Sequence, residues 1–297
     1  MLNRLFNKFS DKLVRQLKAE DRALMRGTDG CAQTALMLQY RQLLQSGAPL
    51  PTFREVGWKA YSQTDEDGII HFLFSILGTT NKKSVEICAG DATECNTINL
   101  ILHRGWTGLL VDGNAGNVER GKQWLSKHPN TYVSPPVFAC EWITKHNVND
   151  LLEKNGFAGE IDLLSIDIDG VDYWLWKAIT VANPRVVVIE YQQHLGPERS
   201  WTIPYSDDFN AWQHPVTGWL PNYAGASLRA LNKLAAEKGY RLVGTNNYCF
   251  NAFFVRNDLG QDLIPAVPVE NCFDHPRAQW SMQNRFQTVA HLPWVEV

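Results

Sequence analysis

Five continuous apolar runs, each trailed by a stretch of helical periodicity, constrain this chain more than any other feature. They are SVEICAG (84–90), GLLVDGN (108–114), a run inside YVSPPVFACEWI (132–143), IDLLSIDID (161–169) and PRVVVIEYQ (184–192). None alternates apolar with polar residues, so each reads as a strand covered on both faces. Helical patterns fill the gaps over 93–103, from the second run through Trp124, over 148–156 and over 173–180. EDGIIHFLFSIL (66–77) precedes the first run, and SLRALNKLAAEKG (227–239) follows the fifth. YRLVGTN (240–246) and CFNAFFVR (249–256) then lie close enough to pair antiparallel. Alternation of this kind predicts an α/β fold: a doubly wound sheet, mostly parallel with an antiparallel last strand. Ligands bind such sheets beyond the carboxyl ends of the strands.

The segment SGAPLPTF (46–53) interrupts the pattern. It predicts two parts, an N-terminal helical segment over 1–50 and the α/β domain over 51–297. In the first, Leu2, Phe6, Phe9, Leu13 and Leu17 form one stripe, with Arg4, Lys8, Lys12, Arg15 and Lys18 between them. Such a face suits packing on the domain or on a second copy of the chain in a homo-oligomer; it also suits an anionic membrane touched through residues 1–20. No apolar run approaches the roughly 20 residues that span a bilayer, and no apolar leader ends in a small-residue cleavage site. The expectation is a cytoplasmic protein, at the inner face of the membrane if the basic helix binds there. A net charge of −3 gives no basic field for nucleic acid. Six cysteines without a CxxC pair read as reduced thiols, neither a disulfide frame nor a zinc site.

The first strand leads into Glu86, Ala89, Gly90 and Asp91, with Glu94 close behind. A dinucleotide turn presents backbone N–H groups to a pyrophosphate, and acidic side chains around it oppose that anion. S-adenosylmethionine carries a sulfonium and an ammonium and no phosphate, so the same carboxylates attract it. Asp112 closes the second strand 22 residues after Gly90, where an acidic side chain accepts hydrogen bonds from ribose hydroxyls. That spacing fits an NAD(P)-dependent oxidoreductase as well. Glu86 and Asp91 also suit capping of the next helix, and Cys88 and Ala92 stand where glycines are commoner. A non-catalytic binding protein on the same fold is the third reading.

YSQTDEDGI (61–69), VEICAGDATECNT (85–97), GWTGLLVDGN (105–114), IDLLSIDIDGVDYWLWKA (161–178), PRVVVIEYQ (184–192) and GASLRALNKLAAEKGYRLVGTN (225–246) occur in this order. Together they resemble a bacterial group of FkbM-like, S-adenosylmethionine-dependent methyltransferases, over about residues 50–297 including the closing RFQTVAHLPWVEV. The resemblance implies a class I methyltransferase fold, O-methylation of a sugar, glycan or natural product, and a link to cell-surface polysaccharide pathways. It also implies that Glu86, Ala89, Gly90, Asp91 and Asp112 belong to the cofactor site, with Glu141 and Trp142 near the adenine.

A sugar hydroxyl is a poor nucleophile at neutral pH and needs a base, a metal or both. Asp167 and Asp169, two apart, would share one face of an extended strand, with Glu190 across from them on the neighbouring strand. Three carboxylates there suit Mg²⁺ or Mn²⁺. Asp167 equally suits the cofactor's ammonium. Asp169, Glu190 and His194 are the catalytic candidates, His194 as base or further ligand, with His146 as an alternative. Asp172 would cap the following helix. The long loop after the fifth strand offers Arg199 to an acidic group and Trp201, Tyr205, Trp212 and Trp219 to a sugar ring.

Overall fold

The computed structural model describes residues 26–211 and 222–297. Residues 1–20, Trp212 and Trp219 lie outside them, with the expectations attached. The chain divides after Leu50 into two units. The first contains helix α1 (Arg26–Ser46), and the second, Pro51–Val297, is an α/β unit.

That unit begins with a short helix α2 (Phe53–Val56) and the buried helix α3 (Glu66–Leu77). β1 (Lys83–Ile87), α4 (Ile98–Arg104), β2 (Thr107–Asp112), α5 (Ala115–Leu125), β3 (Val137–Cys140), α6 (Val148–Lys154), β4 (Gly159–Ile166), α7 (Asp172–Ala178) and β5 (Ala182–Glu190) then alternate as the apolar runs predict. After β6 (Trp201–Thr202) come α8 (Leu228–Glu237), β7 (Tyr240–Thr245) and β8 (Asn251–Arg256). The chain closes with α9 (Pro276–Asn284), α10 (Phe286–Val289) and β9 (Val295–Glu296).

Seven strands form one sheet in the order β3-β2-β1-β4-β5-β8-β7. Pairing is parallel from β3 to β5, and β8 inserts antiparallel between β5 and β7. This is the arrangement the class I methyltransferase resemblance implied. The central strands carry Leu, Val and Ile on both faces because both are covered, and Leu163, Leu164, Val187 and Val188 are fully buried. Gly68 in α3 lets that helix touch the segment before it: a Cβ there would lie 2.4 Å from Trp58 N. Asp67 Oδ2 accepts from Ala60 N, Tyr61 N and Ser62 N, and Tyr61 O accepts from Cys95 N, which joins this segment to the stretch between β1 and α4.

At the opposite end, Asp162 is buried with Arg185, whose Nη1 donates to it at 2.8 Å, and it accepts main-chain N–H groups from Thr80, Asn81 and Lys82. These donors compensate the buried carboxylate, and removing Arg185 would leave its charge uncompensated. β6 and β9 pair as a separate two-stranded sheet that the sequence pattern did not suggest. Among the described residues, no helix is long and apolar enough to cross a membrane.

Candidate functional site

β1 stops at Ile87, three residues before its expected end, and the chain turns at Cys88 (φ +70°), Gly90 (φ +55°) and Ala92 (φ +61°). The left-handed conformation that glycines usually supply is thus kept with a cysteine and an alanine, at about 1 kcal/mol of strain each. Helix α4 starts at Ile98, later than the expected 93, because residues 88–97 wind through this turn. Glu86 explains the late start. Its carboxylate accepts from Asn96 N at 3.2 Å, Thr97 N at 2.9 Å and Ser165 Oγ at 3.0 Å. Burial pushes it up to about 7 against the pull of these donors. Glu86 thus binds the main chain just ahead of α4.

Asp91 is partly exposed and bonded to Thr93 Oγ1 at 2.6 Å, with Arg120 Nε 3.7 Å away. Asp112 lies deeper. One oxygen accepts from Gly90 N at 2.9 Å, the other from Asn114 N at 2.8 Å and Asn117 Nδ2 at 3.0 Å. Ala89 N bonds Val111 O at 2.8 Å, so the turn is sewn to β2. A cleft of about 490 Å³, counting the part open to solvent, lies over Ile87, Cys88, Val111 and Asp112. Glu141, Trp142 and Ile143 wall one side, Ile168 and Val171 another, and Ser206, Asp207 and Phe209 a third. The sequence brings Asp112, Glu141 and Trp142 to one cavity. Glu86, Ala89, Gly90 and Asp91 support its floor without lining it.

Trp142 is half exposed and its indole N–H donates to Asp207 O at 2.6 Å, tying the loop after β3 to the loop after β6. Tyr205 reinforces the tie: its hydroxyl accepts from Lys145 N at 3.0 Å and donates to Asp207 Oδ1 at 2.5 Å. His146 stands beside Asp207 at 3.8 Å.

β4 ends at Ile166, so Asp167 and Asp169 do not alternate along an extended strand as expected. The chain bends, with Asp169 at φ +51°. Asp172 makes the bend by accepting from Ile168 N at 2.9 Å and Gly170 N at 3.0 Å. It closes this turn in place of the predicted helix cap. The bend brings Asp167 and Asp169 toward Glu190 at the end of β5, and ligand oxygens of the three lie within 4.8 Å of one another. Burial raises Asp167 and Glu190 well above the ordinary carboxylate range, and the neighbouring acids raise them further. Glu190 Oε2 is buried with no hydrogen-bond partner among the described residues.

Behind the three carboxylates stands a polar layer that the sequence reading missed. Glu66, fully buried at the start of α3, accepts from Thr64 N, Asn246 Nδ2 and Asn251 Nδ2. The acid-rich TDED (64–67) and the asparagines of TNNYCFN (245–251) were the available signal, but their meeting is a property of the sheet order.

Three expected residues serve elsewhere. His194 is 1% exposed, packs with Trp294, and is pushed down to about 4 by burial and by Arg285. It neither lines the cleft nor joins the carboxylates, which corrects its placement as base. Arg199 lies 3.9 Å from the Phe286 ring centroid and bonds Leu195 O. Trp201 stacks on Trp294 at 6.3 Å and pairs through β6 with β9. Both hold the C-terminal segment in place instead of facing an acceptor. Tyr205 remains beside the cleft.

No protein-family model and no curated protein matches the sequence. Solved structures resemble it remotely. A magnesium protoporphyrin IX methyltransferase from Synechocystis PCC 6803 with bound SAM has 12% identity and a TM-score of 0.40, over 64% of this chain and 77% of that one. An S-adenosylmethionine-dependent methyltransferase from Clostridium acetobutylicum has 11% identity and a TM-score of 0.41, over 64% and 90%. A possible exported protein from Bordetella parapertussis has 12% identity and a TM-score of 0.43, over 66% and 68%. At these scores no residue role passes from them to this chain.

Proposed function

We propose that the chain is an S-adenosylmethionine-dependent O-methyltransferase that acts on a sugar or glycan hydroxyl with the help of a divalent ion. The observation that carries the reading is the sign of the charge around the cleft. Its lining holds Asp112, Glu141 and Asp207 and, among the described residues, no Lys, Arg or His. From outside the lining Lys154 pairs with Glu141 at 2.5 Å and His146 stands 3.8 Å from Asp207, so Asp112 is the lining carboxylate that no ion pair among the described residues offsets. A sulfonium and an ammonium suit that field, and a pyrophosphate does not. The N–H groups of Asn96 and Thr97, which would meet a dinucleotide phosphate at the start of α4, are already taken by Glu86. This disfavours an NAD(P)-dependent oxidoreductase.

Within this reading Asp112 faces the ribose, and Trp142 and Ile143 border the adenine. Asp167, Asp169 and Glu190 would hold Mg²⁺ or Mn²⁺. The fit rests on their all-oxygen donor set, their convergence and the buried, unpartnered Glu190 Oε2. Such an ion would lower the pKa of an acceptor hydroxyl bound beside it. Asp169, the most exposed of the three, is the carboxylate placed to take the hydroxyl proton. The oxygen then bonds the methyl carbon as the carbon–sulfur bond breaks, leaving a neutral thioether.

A thermal-shift panel tests the reading. S-adenosylhomocysteine is expected to raise the melting temperature by several degrees, and NAD⁺ and NADP⁺ to leave it unchanged. Stabilisation by a dinucleotide alone would reverse the assignment. No response to any of the three would favour a binding protein without this chemistry.

A further inference from the structure

Asn251 opens β8 as the register partner of Glu190, so the two side chains stand on the same rung and the same face of the sheet. Asn251 is 2% exposed. Its Nδ2 donates to Glu66 Oε1 at 3.1 Å. The amide nitrogen therefore faces Glu66, and the amide oxygen turns away from it. That oxygen, buried, has no hydrogen-bond partner among the described residues. Glu66 is itself fixed by Thr64 Oγ1 at 2.8 Å and Asn246 Nδ2 at 2.8 Å. The orientation of the Asn251 amide is therefore set from behind, by groups that take no part in the cleft.

We propose that Asn251 Oδ1 is a fourth oxygen ligand of the cation held by Asp167, Asp169 and Glu190, and that Glu66 is the residue that positions it. The assignment rests on the metal-assisted reading above. A neutral carbonyl oxygen adds a donor to the site without adding to the repulsion among three carboxylates. Hard divalent ions accept such mixed oxygen sets. A ligand whose other end is hydrogen-bonded to an outer carboxylate is a recurrent way of fixing metal geometry.

Calorimetric titration of the full chain with Mn²⁺ alone tests this without any methyl transfer. Asn251→Leu is expected to bind Mn²⁺ at least tenfold more weakly than the wild type. Asn251→Asp, which keeps an oxygen, should bind within threefold or more tightly. Glu66→Gln no longer dictates which end of the amide faces the cluster, so its loss should be smaller than that of Asn251→Leu. Circular dichroism melts establish that each variant is folded, and Asn251→Ala, with the same expected loss, serves if the leucine cannot be packed. Equal Mn²⁺ affinity in the wild type and the folded Leu or Ala variant overturns the assignment and leaves the metal in place. A wild-type chain that takes up no Mn²⁺ overturns the metal-assisted part of the proposed function, and Asn251 with it, but not the cofactor.

Discussion

The carboxylate of Glu86 receives two main-chain N–H groups at the start of α4 and a serine hydroxyl from β4, in a place water does not reach. Burial moves it from 4.5 to about 7. Between those values the folded chain holds a proton there that the unfolded chain has released, so stability from this group is complete below about pH 4 and is lost as the pH rises through 7. Glu86→Gln turns an amide N–H toward a main-chain N–H and should cost about 1–3 kcal/mol at pH 5. The cost should shrink at pH 8. Urea unfolding at the two pH values checks this, and a cost that grows with pH would contradict the raised carboxyl. Cys88 and Ala92 argue in the same vein. Their absent glycines looked like a departure from a cofactor turn, yet the backbone takes the left-handed path regardless. Composition alone does not report a conformation that the surrounding structure enforces.

At the scale of elements, the strands were legible because continuous apolar runs admit few alternatives, and their order follows from parallel crossovers. Where each strand stopped was not legible. Asp167 and Asp169 meet Glu190 through a bend closed by Asp172, not through strand alternation. The right residues were found with the wrong local geometry, because the carboxyl end of a buried strand is where charge can appear under either. His194 and Trp201 were misread for another reason. Trp294, nearly a hundred residues onward, packs against both, and no local pattern announces so distant a partner. The loops carrying Trp142 and Asp207 close one side of the cleft through the Trp142 indole hydrogen bond and the Lys145 N–Tyr205 hydroxyl bond. Trp142→Phe keeps the ring and removes that bond, worth about 0.5–1.5 kcal/mol. S-adenosylhomocysteine should then dissociate roughly two- to tenfold faster. Stopped-flow displacement measures the rate, and an unchanged rate would mean the tie does not hold the ligand in.

Across the whole molecule the two ends of the sheet treat charge differently. At the amino-terminal ends of the parallel strands, Asp162 and Arg185 neutralise one another inside a shell of hydrogen bonds. At the carboxyl ends, ligand oxygens of Asp167, Asp169 and Glu190 converge within 4.8 Å of one another, and Glu190 Oε2 is buried with no hydrogen-bond partner among the described residues. In the proposed reading, the carboxylates concentrated at this end receive positive charge. Anomalous diffraction from crystals grown with S-adenosylhomocysteine and Mn²⁺ measures this directly. A manganese peak is expected within bonding distance of Asp167, Asp169 and Glu190, with the nucleoside lying over Ile87 and Asp112. A metal peak elsewhere, or these three side chains turned toward bulk solvent beside a bound nucleoside, would contradict it.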